Sequence, residues 1–217
     1  MKIETIKYTE YLNQIPRKGN YIIGQQTEKE ILVYQAFNNN ISDYAVENQK
    51  FGGSHYSFSR MTWIKPNFLW MMYRCGWAKK ENQERVLGIW IKKEGFLKIL
   101  HEAVYSSYNE NVYLTKENWK KELKAKTVRL QWDPDHDIHG NKQERRAIQL
   151  GLKSRILSEF NQEMVSEIID ITKFVKEQKS KIEKKEYEYL EIPKETVFKT
   201  FDNELNRKLE LEKEHSN

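Results

Sequence analysis

Three cations, Arg60, Lys65 and Arg74, fall within one aromatic stretch, SFSRMTWIKPNFLWMMYRCGW at residues 57–77, in which Trp63, Trp70 and Trp77 recur every seven residues. So apolar a stretch belongs in a core, and a cation held against a core needs a partner. That partner is one of the chain's own carboxylates or an anionic ligand in a cleft. The charge distribution favours the ligand. Residues 57–92 carry seven Lys/Arg against Glu81 and Glu84, a surplus of five that equals the net charge of the whole 217-residue chain. Seven of the 27 aromatic residues share that window. Positive charge mixed with flat π-faces suits an anion that carries rings, as nucleotides and nucleic acids do. Arginine suits phosphate because its planar fork donates two parallel hydrogen bonds. Arg60, Lys65 and Arg74 are the expected phosphate contacts.

Other chemistry-bearing residues point less far. Asp133, Asp135, Asp137 and Glu144 copy part of a calcium loop, but Ile138 stands where the sharp turn needs Gly, and Pro134 fills the second position. The stretch QWDPDHDIHGNKQE (131–144) reads instead as a strand end entering a solvated turn. His136 and His139 have no second histidine or cysteine cluster beside them, so no metal is expected. The single cysteine, Cys75, has no histidine near it in sequence and reads as a small residue at a helix end. Among the described motifs of hydrolases, neither G-x-S-x-G nor H-E-x-x-H occurs.

The elements that must position these residues follow from periodicity and capping. Strands are expected over 30–38, 85–93, 127–134, 145–152 and 164–172, with an extended stretch at 55–64. Helices are expected over 40–53, capped by Ser42 and ended by Gly52–Gly53, over 67–76 with Pro66 at its first position, and over 94–108, 153–162 and 173–185. A polar connection with a short helix fills 109–126. Residues 173–217 hold eleven Lys/Arg and eleven Asp/Glu. Residues 186–217 are read as a charged helical tail, helical over about 195–213, whose deletion leaves a folded body of residues 1–185. The pattern is α+β, a single domain with a mixed, mainly antiparallel sheet that can split into two small sheets around a cleft. No Gly-rich strand–turn–helix fingerprint supports a doubly wound fold.

At 38% hydrophobic and 32% charged residues the chain is globular. Residues 1–20 contain no apolar signal segment and no run approaches a membrane span of about 20 residues, so neither export nor a membrane partner is expected. A lone cysteine fits a reducing, cytoplasmic setting.

The motifs VYQAFN, FSRMTWIKPNFLWMMYRCGW, QERVLGIWI, VRLQWDPD and IQLGL, in this order, resemble a family of bacteria and fungi catalogued as domain of unknown function 4291, over roughly residues 28–180. A weaker resemblance links VYQAF, the helix ending near KFGG and the extended SFSRMTW to ADP-ribosyltransferase-type folds, which split NAD between two small sheets. That resemblance implies Gln35 on the first strand and Ser59, Thr62 and Trp63 on the second element. Gln149 stands where such folds often place a late glutamate, a departure that bears on catalysis. The leading expectation is a domain that binds NAD or a related nucleotide and acts on nucleic acid. Tyr34 and Trp63 stack on rings, Ser59 and Thr62 join the cofactor contacts with Lys65 and Arg74, and Gln35 and Gln149 orient a ribose. Gln35, Arg60 and Glu84 are the catalytic candidates, Glu84 as general acid or base. The alternatives are a non-catalytic nucleic-acid-binding module on the same basic aromatic face, and an interaction protein that docks through its C-terminal helix. NAD consumption separates the first from the others, and salt-sensitive RNA or DNA binding without turnover marks the second.

Overall fold

A computed structural model describes residues 3–212. In chain order the elements are β1 (Thr5–Lys7), α1 (Tyr8–Gln14), β2 (Gly19–Asn20), β3 (Ile23–Gly24), β4 (Glu30–Phe37), α2 (Asn39–Asn48), β5 (Thr62–Ile64), α3 (Phe68–Cys75), β6 (Arg85–Lys92) and α4 (Lys93–Glu102). They continue with β7 (Ala103–Tyr105), α5 (Lys116–Ala125), β8 (Val128–His136), β9 (Lys142–Leu152), α6 (Ser154–Glu159), β10 (Val165–Asp170), α7 (Thr172–Glu183), β11 (Glu191–Pro193), β12 (Thr196–Val197) and α8 (Asn203–Lys208).

The fold is α+β. One sheet has three antiparallel strands in the order β10-β6-β4. The other is mixed, with five strands: β2-β9-β8-β7, and β5 paired to the far end of β9. Two further strand pairs, β1-β11 and β12-β3, tie the chain's two ends together.

Strand alternation divides the interior in two. Ile31 and Val33 of β4, and Leu87, Ile89 and Ile91 of β6, share one core with Val128 and Leu130 of β8 and Ile148, Leu150 and Leu152 of β9. Leu32 and Tyr34, with Val86 and Trp90, face a second core built from α3, α7, Tyr11 and Ile192. A backbone bridge between Tyr34 and Lys65 joins the two sheets (Tyr34 N–H to Lys65 O 2.7 Å, Lys65 N–H to Tyr34 O 3.2 Å).

The helix of the aromatic stretch forms one residue later than expected. Asn67 caps α3 by accepting from the Trp70 N–H at 2.7 Å, so Pro66 precedes the cap, and Gly76 ends the helix at φ 59°. Asn38, not Ser42, caps α2, and Gln49 at φ 53° ends it before the glycine pair. The helix expected over 94–108 stops at Glu102. Ala103 turns extended there and β7 pairs in parallel with β8.

The C-terminal stretch is not a separate helical tail. β11 and β12 are strands, α8 is short, and Leu190, Ile192, Phe198, Leu205 and Leu209 are buried in the two cores. The expectation for the tail's last residues, 213–217, lies outside the described residues, as do residues 1 and 2. Among the described residues no helix is long and apolar enough to cross a membrane.

Candidate functional site

Beside the Tyr34–Lys65 bridge, β4 and β5 pair no further through their backbones. A cleft of about 400 Å³ opens there, with residues 35–37 on one side and 61–63 on the other. Lys65, then Arg74 from the last turn of α3, and Gln131 and Gln149 from β8 and β9 complete most of the wall. Gln83 also reaches it, from the turn before β6.

Lys65 dominates the electrostatics. The residue is only 5% exposed, yet it lines the cleft. Its ammonium has one hydrogen bond among the described residues, a long one of 3.4 Å to the Trp63 carbonyl. Burial, then the neighbouring charge of Arg74, pulls its pKa down to about 8, opposed by Cys75 and Asp133. Neither Lys65 nor Arg74 joins an ion pair among the described residues.

The amides of the wall are held in fixed orientations. Gln35 donates its Nε2 to Thr62 Oγ1 at 2.5 Å and to the Trp63 carbonyl at 3.2 Å. Because a carbonyl accepts only from the nitrogen end, Gln35 Oε1 is left buried with no partner among the described residues. Gln131 and Gln149 sit directly opposite each other, and both donate to Asp133, at 2.9 Å and 2.7 Å. Their nitrogen ends are therefore turned to Asp133. Trp63 pairs with Gly151, where a β-carbon would lie 3.0 Å from the indole and 2.6 Å from Met61 Sδ. The missing side chain lets Trp63 pack close on β9.

Gln35, Thr62, Trp63, Lys65, Arg74 and Gln149, six of the sequence candidates, meet at this cleft. Four do not. Tyr34 is fully buried on the opposite face of β4, edge-on to Phe68 at 5.6 Å, and burial lifts its phenol pKa well above the usual range. Adjacent strand residues point to opposite faces, so Tyr34 cannot share the cleft with Gln35. Ser59 and Arg60 lie on an exposed loop, where Ser57 and Ser59 share a 2.8 Å hydroxyl contact. Glu84 accepts from the Asn82 N–H at 2.7 Å in the turn before β6 and is not part of the wall. Gln83 and Gln131 were not foreseen, and Asp133 was read only as part of the acidic stretch, not as the partner of Gln131 and Gln149.

The acidic loop is a tight turn: Asp137 accepts from the N–H groups of His139 and Asn141 at 2.8 and 2.9 Å. Asp135 is buried and paired with Arg145, at 2.6 Å. Among the described residues no group of three or more His, Cys, Asp or Glu is arranged to hold a metal ion. A more apolar groove of about 660 Å³ runs between residues 20–22 and 197–212, but the buried cation and the orphaned amide belong to the smaller cleft.

Fold and site together define a class: an α+β domain of two joined sheets with a cationic, amide-lined cleft at their junction. The chain belongs to the family described as Domain of unknown function (DUF4291), which matches residues 21–198. The match extends beyond 28–180 at both ends and takes in β11 and β12. A search of curated proteins finds no match to this chain.

Proposed function

We propose that the cleft is a nucleotide site. Arg74 and Lys65 take phosphate oxygens, Trp63 offers its indole to a ring, and Gln35 and Gln149 bond ribose hydroxyls. NAD is the fuller form of that ligand, and transfer of its ADP-ribosyl group to nucleic acid is the proposed reaction. Arg60 supports the nucleic-acid half of this reading. It stands exposed one residue before Met61, which lines the cleft, and so is available to a phosphodiester backbone. With Glu84 away from the wall, proton transfer falls to other groups, and Asp133, bonded to Gln131 and Gln149, is a carboxylate whose charge acts on Lys65.

The observation that carries the reading is Lys65, a buried cation lining a cleft with no carboxylate paired to it among the described residues. Such a group is destabilised until an anion arrives. Calorimetric titration with AMP, NAD and a short RNA tests it. Arg74→Ala is expected to weaken binding by more than about tenfold, or 1.4 kcal/mol. Its melting temperature should not fall, because Arg74 is exposed and carries no ion pair among the described residues. Absence of binding of all three ligands to the wild type overturns the reading. Release of nicotinamide on incubation with NAD tests the transfer step.

A further inference from the structure

We propose that Lys65 is a covalent site for aldehydes: it forms an imine with the open-chain carbonyl of a phosphorylated aldose seated in the cleft. The inference deepens the nucleotide reading and rests on Arg74 as the phosphate contact.

The wall selects the ligand class. Gln35 presents a buried carbonyl oxygen without a donor. Asp133 takes the N–H ends of Gln131 and Gln149, which leaves their carbonyl oxygens as the acceptors these two wall residues can offer. Acceptors call for a ligand rich in hydroxyl donors, and the Trp63 indole suits the apolar face of a sugar. Arg74 supplies the anion contact at the same cleft. A polyol with a phosphate fits all three features.

The amine selects the chemistry. Lysine is nucleophilic only when neutral, and a desolvated lysine beside another cation is the arrangement that makes it so. Arg74 is that cation. Asp133 and Cys75 are the groups that oppose it. With a pKa of about 8, roughly a tenth of Lys65 is neutral at pH 7, against roughly one part in 2,500 for an exposed lysine.

In the reaction the Nζ lone pair attacks the aldehyde carbon. A proton passes from nitrogen to the former carbonyl oxygen, giving a carbinolamine whose new hydroxyl lies among the amide acceptors. That hydroxyl leaves as water with the second amine proton, and the C=N bond forms. Amine and aldehyde yield imine and water, with no change in oxidation level.

The test is reductive trapping. The full chain is incubated at pH 7 with D-ribose 5-phosphate and cyanoborohydride, whose hydride converts the imine to a secondary amine, and the product is read by intact mass and peptide mapping. One adduct per chain is expected, on Lys65, formed at least about tenfold faster than with unphosphorylated ribose. Its rate should rise with pH with a midpoint near 8. Lys65→Met and Lys65→Arg should both lose it. The methionine removes a buried charge and the arginine keeps one, so a folding defect in one does not obscure the other. Arg74→Ala should slow the reaction with the phosphate ester more than the reaction with ribose, because it removes the phosphate contact as well as a charge that lowers the Lys65 pKa. Adducts spread over surface lysines at equal rates in wild type and Lys65→Met overturn the proposal, as does equal reactivity of the two sugars. If AMP binds and Lys65 is not trapped, the imine proposal falls and the nucleotide site stands. If Lys65 is trapped with phosphate preference and none of AMP, NAD and RNA binds, the nucleotide reading falls and the reactive amine stands.

Discussion

At the scale of single residues, Lys65 carries the most consequence, because its fold-imposed pKa works against the fold. The unfolded chain holds the Lys65 proton up to about 10.4, the folded chain only to about 8. Between those values the unfolded state binds more protons, so this residue's contribution makes stability rise as pH rises from 8 to about 10.4. Below pH 8 the destabilisation is fully present, of the order of 3 kcal/mol at most by the shift alone. Lys65→Met should therefore raise stability at pH 7 by about 1–3 kcal/mol. It should also remove the rise above pH 8, read from urea melts at several pH values. A variant less stable than wild type at pH 7 would show that the ammonium is a structural tie. Lys65 and Arg74 were legible in the sequence because unpaired charge beside apolar residues can be counted without a fold. Asp133 was not legible as the group that orients Gln131 and Gln149. That role depends on the register of β8 against β9, set by contacts far apart in sequence.

At the scale of elements, α3 shows how one short helix serves a core and a cleft together. Phe68, Leu69, Met72 and Cys75 enter the second core, while Arg74 stays exposed at its last turn. Trp70 is 6% exposed and stacks on Tyr73 at 5.5 Å and on the buried His136 at 5.3 Å. Trp70→Ala leaves that ring stack open and should cost about 3–5 kcal/mol, measured by chemical denaturation. An unchanged midpoint would mean that the α3–β8 packing does not depend on the indole. The helix was readable from Pro66 near its start and from its terminal glycine, which are local signals, although the cap itself is Asn67. β7 was not readable, because Ala103 and Val104 continue the helical spacing of Phe96, Ile99 and Leu100. Parallel pairing with Val128 and Arg129 draws them into the sheet instead. Tyr34 was misjudged for a related reason: both it and Gln35 have suitable chemistry, and only the alternation of β4 decides which faces the cleft.

At the scale of the whole molecule, the C-terminal stretch closes the structure, and composition concealed this. Its charge is balanced and its apolar residues are sparse, yet Leu190, Ile192, Phe198, Leu205 and Leu209 are all at most 4% exposed. At about 1.5–3 kcal/mol for each buried side chain, deleting residues 186–212 removes roughly as much as a domain's typical net stability. The truncated chain should fail to fold, contrary to the expectation from charge alone. Glu195 is the point where this stretch locks the aromatic helix. Its fully buried carboxylate accepts from the Phe68 N–H, the first residue of α3, at 2.7 Å, and from the Tyr11 hydroxyl at 3.2 Å. Burial, with the nearby charge of Asp135, raises its pKa well above the usual carboxylate value, although the Phe68 N–H, Tyr11 and Arg145 pull the other way. The folded state thus keeps a proton that the unfolded state releases near pH 4.3, and stability falls as pH rises from there through the raised value. Glu195→Gln retains an acceptor for Phe68 and cannot ionise. Its melting temperature should match wild type near pH 4, exceed it at pH 8, and vary less between them. Glu195→Ala strands the Phe68 N–H and should cost about 1–3 kcal/mol near pH 4, and less at pH 8, where it escapes the ionisation penalty that wild type bears. If Glu195→Gln instead loses stability at pH 8, the carboxylate is ionised in the fold and held by Arg145 through the buried cluster, and the C-terminal lock is an ion pair rather than a neutral hydrogen bond.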